Sequence, residues 1–223
     1  MSACRPARTQ AILFDLDGTF ADTAPDLGHA LNTLLSLRGK PTLPLEHVRK
    51  VASSGARGML GVGFGIAPGD PGYEALVAEF LALYERDLCR ETRLFPGIEA
   101  LLAEIESRKL SWGIVTNKAE RFTLPLLRLL GQAERAACIV SGDSTPHRKP
   151  HPGPLLAAAG IARVEPGACI YVGDDERDMI AGRAAGMRIA VAEYGYLGLG
   201  NPPELWPADL RLRDPLELLA AIT

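Results

Sequence analysis

Short apolar runs alternate with amphipathic segments along most of the chain. Five runs have strand character and a weaker sixth follows them, at Ala11–Phe14, 110–115, Cys138–Val140, 168–172, 189–192 and 209–213. Continuous apolar runs of this length are typical of strands that are covered on both faces, as in a parallel sheet. The pattern therefore predicts a mostly parallel sheet with helices on either side.

The segments between these runs have helical periodicity. Apolar residues recur at Ile98, Leu101, Leu102 and Ile105, and similar patterns cover residues 119–130 and 177–186. The spacing i, i+3, i+4, i+7 places these side chains on one face of a helix. Strand–helix–strand alternation predicts an α/β fold with a doubly wound parallel sheet.

One region, residues 22–92, breaks the alternation because it contains no convincing strand. Two helical stripes lie in it, and a glycine-rich stretch at residues 53–65 separates them. The stripes are Leu27, Ala30, Leu31, Leu34 and Leu35, then Leu76, Val77, Phe80, Leu81, Tyr84 and Leu88. We predict an α/β core domain formed by residues 1–21 and 93–223, and a small all-helical cap domain formed by residues 22–92. The cap would lie over the carboxyl ends of the strands, where open α/β sheets bind ligands.

Composition and charge narrow the range of partners. The chain has 223 residues, is 47% hydrophobic and carries a net charge of −3. Nucleic acids and anionic membranes need a basic surface, so we expect neither as the main partner. No signal peptide or membrane span is recognisable in residues 1–10 or later, and the four cysteines form no C-x-x-C pair. We therefore expect a cytoplasmic protein with reduced thiols that acts on a small molecule, as a monomer or a homodimer.

The strongest chemical signal follows the first strand, where the chain reads Asp15-Leu16-Asp17-Gly18-Thr19. Residues i and i+2 of an extended segment point to the same side, so the two carboxylates lie close together. Carboxylates that close repel one another unless a cation lies between them, and Mg²⁺ prefers such oxygen ligands. Gly18 allows a sharp turn, and Thr19 supplies a hydroxyl that can hold a phosphate oxygen.

Three later strands also end in polar groups. Thr116-Asn117-Lys118 follows the second main strand, Lys149 lies in a proline-rich loop after the third, and residues 173–178 hold four acidic side chains after the fourth. Taken alone, Thr116-Asn117-Lys118 is equally compatible with a helix N-cap. The acidic residues at 173–178, taken alone, are equally compatible with the start of a helix, where the helix dipole stabilises them. Together they lie at one edge of a parallel sheet, where hydroxyls, one ammonium and carboxylates suit phosphoryl transfer with a divalent cation.

These four motifs, in this order, resemble the haloacid dehalogenase-like hydrolase superfamily over essentially the whole chain. The helical insertion between the first two motifs is similar to the small α-helical cap of that superfamily. Within it, the segments 22–25, 115–118, 149–152 and 194–196 resemble the phosphoglycolate phosphatase group. Residues 53–57 and Trp206 resemble a sister group that acts on N-acetylmuramic acid 6-phosphate.

The resemblance implies an Mg²⁺-dependent phosphatase that hydrolyses a small phosphate monoester through an aspartyl-phosphate. It implies 2-phosphoglycolate as the first substrate, with N-acetylmuramic acid 6-phosphate or a phosphomutase reaction as alternatives. Asp15 would be the nucleophile, and Asp17 would protonate the leaving alkoxide and then activate water. The implied ligands are Asp15, Asp17 (through its backbone carbonyl), Asp174 and Asp178 for the metal, and Thr19, Thr116, Asn117 and Lys149 for the phosphoryl group.

The cap would supply specificity. Arg57, in the glycine-rich stretch, is a candidate for binding a substrate carboxylate, although an exposed arginine with no such role fits the sequence equally well. Other classes are less compatible with the motifs. A dehalogenase has no use for the second acid, Asp17, a receiver-type signalling domain needs no cap of this size, and a binding protein gains nothing from an uncompensated acidic cluster. The role of Asp175 is left open between helix start and active site.

Overall fold

A computed structural model describes residues 8–222, so the expectations for residues 1–7, including Cys4, lie outside the described residues. These described residues form eight strands, β1 (Ala11–Phe14), β2 (Ala21–Asp22), β3 (Arg93–Leu94), β4 (Ser111–Val115), β5 (Cys138–Val140), β6 (Cys169–Gly173), β7 (Arg188–Ala192) and β8 (Leu210–Leu212). Eight α-helices accompany them, α1 (Ala24–Leu37), α2 (Leu45–Ala52), α3 (Gly55–Phe64), α4 (Tyr73–Arg86), α5 (Ile98–Ser107), α6 (Glu120–Leu129), α7 (Gly153–Ala162) and α8 (Glu176–Ala184). Short 3₁₀ turns lie at Pro166–Ala168, Pro203–Leu205 and Pro215–Ala221.

The main sheet has six strands in the order β5-β4-β1-β6-β7-β8, and every neighbouring pair is parallel. This confirms the predicted fold class, and all six apolar runs are strands to within a residue or two. Successive side chains of β1 face opposite sides, as strand geometry requires. Ile12 and Phe14 pack with residues of α5 and α6, whereas Ala11 and Leu13 pack with residues of α7 and α8.

The segment between β2 and β3 is helical throughout its regular structure and comprises α1 to α4. Its two connections to the core are the strands β2 and β3, which pair antiparallel through Ala21 with Leu94 and Asp22 with Arg93. Asp26 of α1 stabilises the return connection, because its carboxylate accepts hydrogen bonds from the backbone N–H groups of Glu91 and Thr92. The exact domain limits at residues 22 and 92 stay a prediction.

The glycine-rich stretch is helical over most of its length. Residues 55–64 form the helix α3, and two of its glycines lie at close contacts between helices. A side chain on Gly63 would overlap Leu31 of α1, and one on Gly58 would overlap the backbone carbonyl of Val51 in α2. The glycines therefore allow the helices to pack closely, and this packing offsets the low intrinsic helix propensity of glycine.

Candidate active site

The predicted site residues converge at the carboxyl edge of the sheet. Asp15 follows β1, Thr116 follows β4 and Asp174 follows β6, and these three strands are adjacent in the sheet. Lys149 reaches the same edge from the loop after β5, and Asp178 reaches it from the first turn of α8. The parallel sheet thus brings together residues that are more than 150 positions apart in the sequence, such as Thr19 and Asp174.

Three buried carboxylates form a compact acidic cluster. One oxygen each of Asp15, Asp174 and Asp178 lies within 4.8 Å of the other two. Burial raises the pKa of the Asp15 carboxyl to about 7, against the opposing effect of the Lys149 ammonium. Burial and the charges of Asp15 and Asp178 raise the pKa of Asp174 well above its ordinary value. Three desolvated carboxylates that repel one another fit a hard divalent cation such as Mg²⁺, which binds oxygen ligands and offsets their charge.

Lys149 is the cation of this cluster. Its Nζ lies 2.8 Å from Oδ1 of Asp15 and 2.7 Å from Oδ1 of Asp178, and its side chain is almost completely buried. Burial alone would lower the pKa of Lys149, but the carboxylates of Asp15 and Asp178 outweigh it, so the pKa is raised and the ammonium stays charged. Lys149 also donates to the Tyr171 hydroxyl at 2.7 Å. One fixed positive charge therefore lies directly beside the Asp15 carboxylate.

Asp17 has different surroundings. Its Oδ1 accepts a hydrogen bond of 2.6 Å from the Thr23 hydroxyl and one of 2.9 Å from Nζ of Lys118. Asp17 also lines the cavity described below. The turn after it depends on Gly18, which has φ +88° and lies against the Asp174 carboxylate. The two acids of the first motif therefore differ, because Asp15 belongs to the acidic cluster and Asp17 pairs with a separate lysine.

The remaining predicted phosphate ligands are placed unequally. Thr116 is buried and lines the cavity, whereas the Thr19 hydroxyl donates to Oδ1 of Asp174 at 2.9 Å. The Asn117 side chain bonds the backbone of Lys149 on both sides, donating to its carbonyl at 3.0 Å and accepting from its N–H at 2.9 Å. Asn117 thus fixes the Lys149 loop through its side chain.

Asp175 is a helix cap. It is the N-cap of α8. Its side chain accepts a hydrogen bond from the backbone N–H of Arg177 at 2.9 Å, and the Asp178 side chain accepts one from the backbone N–H of Asp175 at 3.1 Å. Asp175 also pairs with Arg177 at 2.7 Å, and Arg177 donates to the Ser53 carbonyl at 2.9 Å. The start of α8 therefore contacts the helical insertion at the end of α2. Asp175 therefore caps α8, and it also lines the cavity between the sheet edge and the insertion.

Several residues of the site were not identified from the sequence. The backbone N–H of Tyr196 donates to Oδ2 of Asp174 at 3.0 Å, and the Ser53 hydroxyl donates to the same oxygen at 3.1 Å. The Tyr196 hydroxyl donates to Asp22 at 2.8 Å, which connects the loop after β7 with the first link to the insertion. Lys118 had a signal, because it directly follows Thr116 and Asn117 in the second motif. Tyr196 had none that identifies an individual contact.

A cavity of about 640 Å³ lies between the sheet edge and the helical insertion. Asp15, Asp17, Thr116 and Lys149 line its polar end. Its apolar wall consists of Leu27, Tyr73, Val77, Phe80, Leu81, Tyr84 and Phe122. The exposed side chains of Arg57, Arg121 and Arg148 also line it. The cavity therefore combines polar side chains at the sheet edge, apolar side chains of the insertion and additional positive charge.

Comparisons with known proteins show the family and the fold of this chain. Residues 12–192 match the sequence profile of the haloacid dehalogenase-like hydrolases. The chain is 43% identical to an N-acetylmuramic acid 6-phosphate phosphatase of Pseudomonas putida, over 96% of each chain. It is 45% identical to a phosphoglycolate phosphatase of Xanthomonas campestris, over 94% of each chain. The crystal structure of a predicted phosphoglycolate phosphatase from Haemophilus somnus superposes with a TM-score of 0.84 at 24% identity, covering 97% of this chain and 99% of that one, which supports the fold.

No helix within residues 8–222 has both the length and the hydrophobicity that crossing a bilayer requires.

Proposed function

The chain belongs to the haloacid dehalogenase-like hydrolases and is a phosphatase, and from that premise we propose that it hydrolyses a carboxylated sugar phosphate through a phospho-aspartate on Asp15. The observation that carries this proposal is the position of the Asp15 carboxylate. It lies at the polar end of the cavity, 2.8 Å from the Lys149 ammonium and beside two further carboxylates suited to a metal. The nucleophile, the Lys149 ammonium and the metal-binding carboxylates would then surround one phosphoryl group.

In the first step, an oxygen of Asp15 attacks phosphorus, and the bond between phosphorus and the ester oxygen breaks. Asp17 gives its proton to that oxygen, so the product leaves as a neutral alcohol. In the second step, Asp17 takes a proton from water while the water oxygen attacks the phosphorus, and the carboxylate of Asp15 is released. The sum is one ester and one water consumed, and one alcohol and one phosphate formed.

The phosphoryl oxygens carry negative charge throughout, and this chain offers several groups to stabilise it. Lys149 supplies a buried ammonium, Thr116 a hydroxyl and Asn117 a backbone N–H. Thr19 acts through Asp174, because its hydroxyl is engaged there. The buried oxygens of Asp15, Asp174 and Asp178, with the Asp17 carbonyl, would hold Mg²⁺. When bound there, Mg²⁺ would neutralise negative charge on the phosphoryl group.

The size and lining of the cavity favour a substrate larger than a two-carbon ester. The sequence alone favours 2-phosphoglycolate, but about 640 Å³ is far more space than a two-carbon ester fills. Cavities of this order, about 300–1,000 Å³, hold ligands of drug size. The apolar wall from Leu27 to Phe122 would also have nothing to contact in a glycolate group. A sugar with apolar substituents and a carboxylate, as in N-acetylmuramic acid 6-phosphate, uses both the wall and the positive charge.

Arg57 is the residue proposed for the carboxylate. Its guanidinium is exposed, lines the cavity and has no ion-pair partner within residues 8–222. It lies in the first turn of α3, next to Ser53 and Ser54 at the end of α2. An arginine can hold a carboxylate through two parallel hydrogen bonds, which a lysine cannot do.

The test is phosphate release by the purified protein with Mg²⁺, comparing N-acetylmuramic acid 6-phosphate with 2-phosphoglycolate. We expect a higher kcat/KM for the sugar ester. A higher value for 2-phosphoglycolate would overturn the substrate and restore the two-carbon ester that the sequence favours. Release from neither, by a folded protein, would favour a phosphomutase.

A further inference from the structure

Lys118 is a buried lysine that the proposed mechanism has not yet used. It follows Thr116 and Asn117 at the end of β4, and only 9% of its side-chain surface is exposed. Its Nζ donates to Oδ1 of Asp17 at 2.9 Å. Burying an ammonium is costly, and the hydrogen bond to Oδ1 of Asp17 offsets part of that cost. Lys118 therefore contacts the acid–base residue Asp17, whereas Lys149 contacts the nucleophile Asp15.

The hydrogen bonds to Asp17 are all on one of its two oxygens. Thr23 and Lys118 both donate to Oδ1, at 2.6 and 2.9 Å. Within the described residues, no protein group donates to Oδ2. Two donors on one oxygen fix the rotation of the carboxyl group and leave the other oxygen for the substrate. Oδ2 is then the atom that exchanges a proton with the ester oxygen and later with water.

The helical insertion holds Lys118 from the other side. The Nζ of Lys118 lies 4.7 Å from the centre of the Tyr84 ring, which is a cation–π distance. Tyr84 belongs to α4 and is wedged between Phe80 of the same helix and Phe122 of α6, with ring centres 6.5 and 5.7 Å away. The ring of Tyr84 is therefore fixed, and it closes the space around the Lys118 ammonium.

We propose that Lys118, covered by the Tyr84 ring, is a positioning residue that holds Asp17 with Oδ2 directed at the leaving-group oxygen. The proposal rests on the proposed function, because it assigns Lys118 to the proton transfer that Asp17 performs there. It also makes that transfer depend on the seating of α4 against the core.

The leaving group provides the test. An alkyl phosphate needs a proton on its departing oxygen, whereas p-nitrophenyl phosphate does not, because nitrophenolate is a stable anion. The experiment compares kcat/KM for p-nitrophenyl phosphate with that for the faster of the two alkyl esters named above. This parameter reports the first phosphoryl transfer, before water enters. The variants are Lys118→Met, which removes the donor at similar volume, and Asp17→Asn as the reference for a lost acid.

We expect Lys118→Met to lose about tenfold to a hundredfold in kcat/KM for the alkyl ester, and less than about threefold for p-nitrophenyl phosphate. Retained turnover of the aryl ester also shows that the variant is folded. Equal losses on both esters would overturn the proposal, because they would place Lys118 on the phosphoryl group or in the stability of the fold. No loss on either would overturn it as well.

Tyr84 supplies a second pair of variants. Tyr84→Leu removes the ring and should show the same dependence on the leaving group, whereas Tyr84→Phe keeps the ring and should lose less. Equal losses in the two would overturn the role of the ring. The reference variant Asp17→Asn distinguishes the acid–base role of Asp17 from the positioning role of Lys118. If Asp17→Asn itself affects both esters equally, the assignment of Asp17 fails; if only Lys118→Met lacks the difference, the positioning role fails alone.

Discussion

Gly18 lies so close to Asp174 that a single added carbon on Gly18 would overlap the Asp174 carboxylate and approach the ring of Tyr196 to 2.7 Å. Gly18 also has φ +88°, which residues with a side chain rarely adopt. The turn that separates Asp15 from the first link to the insertion is therefore built around a carboxylate of the acidic cluster. The site needs glycine here for space as well as for conformation.

The variant Gly18→Ala tests this close contact. We expect loss of activity together with a loss of stability clearly larger than that in Gly39→Ala. Gly39 has φ +65° but nothing within 4 Å of an added carbon, so its variant suffers the backbone strain alone, about 1–2 kcal/mol. Chemical denaturation and phosphate release measure both effects. Equal destabilisation in the two variants, with activity retained in Gly18→Ala, would contradict the packing argument.

Magnesium should stabilise the folded protein because it binds the acidic cluster only after Asp15, Asp174 and Asp178 have come together. A ligand at a hundred times its Kd adds about 2.7 kcal/mol, which raises the Tm of a chain of this size by about 5–10 °C. The rise should disappear in Asp174→Asn. Potassium chloride at matched ionic strength is the control for screening. An equal rise in the wild type and in Asp174→Asn would place the metal elsewhere.

Removing one charge from the cluster should stabilise the protein when no metal is available. Burial raises the pKa of Asp15 to about 7 in the fold. Because its ionised form is disfavoured in the folded state, the contribution of Asp15 to stability falls as the pH rises from about 4 to about 7. With chelator present, Asp15→Asn should therefore have the higher Tm at pH 8, and the difference should shrink toward pH 4. A lower Tm for the variant at pH 8 would mean that the bond to Lys149 outweighs the desolvation.

Arg57→Ala should weaken the binding of a carboxylated ester and leave a simple phosphate ester nearly unaffected. The loss of a charged hydrogen-bonding partner predicts a rise in KM of about tenfold for the carboxylated ester. Arg128→Ala is a matched control, because Arg128 is exposed and lies outside the cavity lining. Steady-state kinetics with both esters decide the matter, and equal effects of Arg57→Ala on the two would remove Arg57 from specificity.

The parts of this fold that the sequence predicts are those with a strong local pattern. The six apolar runs are strands, and the polar groups that follow them meet because parallel strands share one carboxyl edge. Helix α7 escaped prediction because Gly153–Ala162 consists almost entirely of small and apolar residues with no polar stripe. The sequence does not predict helix α3, because glycine has a weak helix propensity. Tertiary packing at Gly58 and Gly63 overrides that propensity in the fold.

In the site, residue types at strand ends were predictable but individual partners were not. The motifs predict that the strand ends carry Asp15, Asp17, Lys149 and Asp174, because phosphoryl transfer needs carboxylates and an ammonium group at one place. The engagement of Asn117 by the Lys149 backbone, and of Thr19 by Asp174, depends on loop geometry that no local pattern encodes. The hydrogen bond from Lys118 to Asp17 also depends on the relative positions of two separate loops, which the sequence does not show.

The central claim is that Asp15 carries the phosphoryl group during turnover. The most direct measurement is to quench the working enzyme in acid after mixing it with Mg²⁺ and a radiolabelled phosphate ester, and then to isolate the protein. An acyl phosphate survives acid and is released by hydroxylamine. We expect label on the peptide that contains Asp15, release by hydroxylamine, and neither label nor turnover above about a thousandth of wild type in Asp15→Asn. Label on another residue, or sustained turnover by Asp15→Asn, would contradict the account.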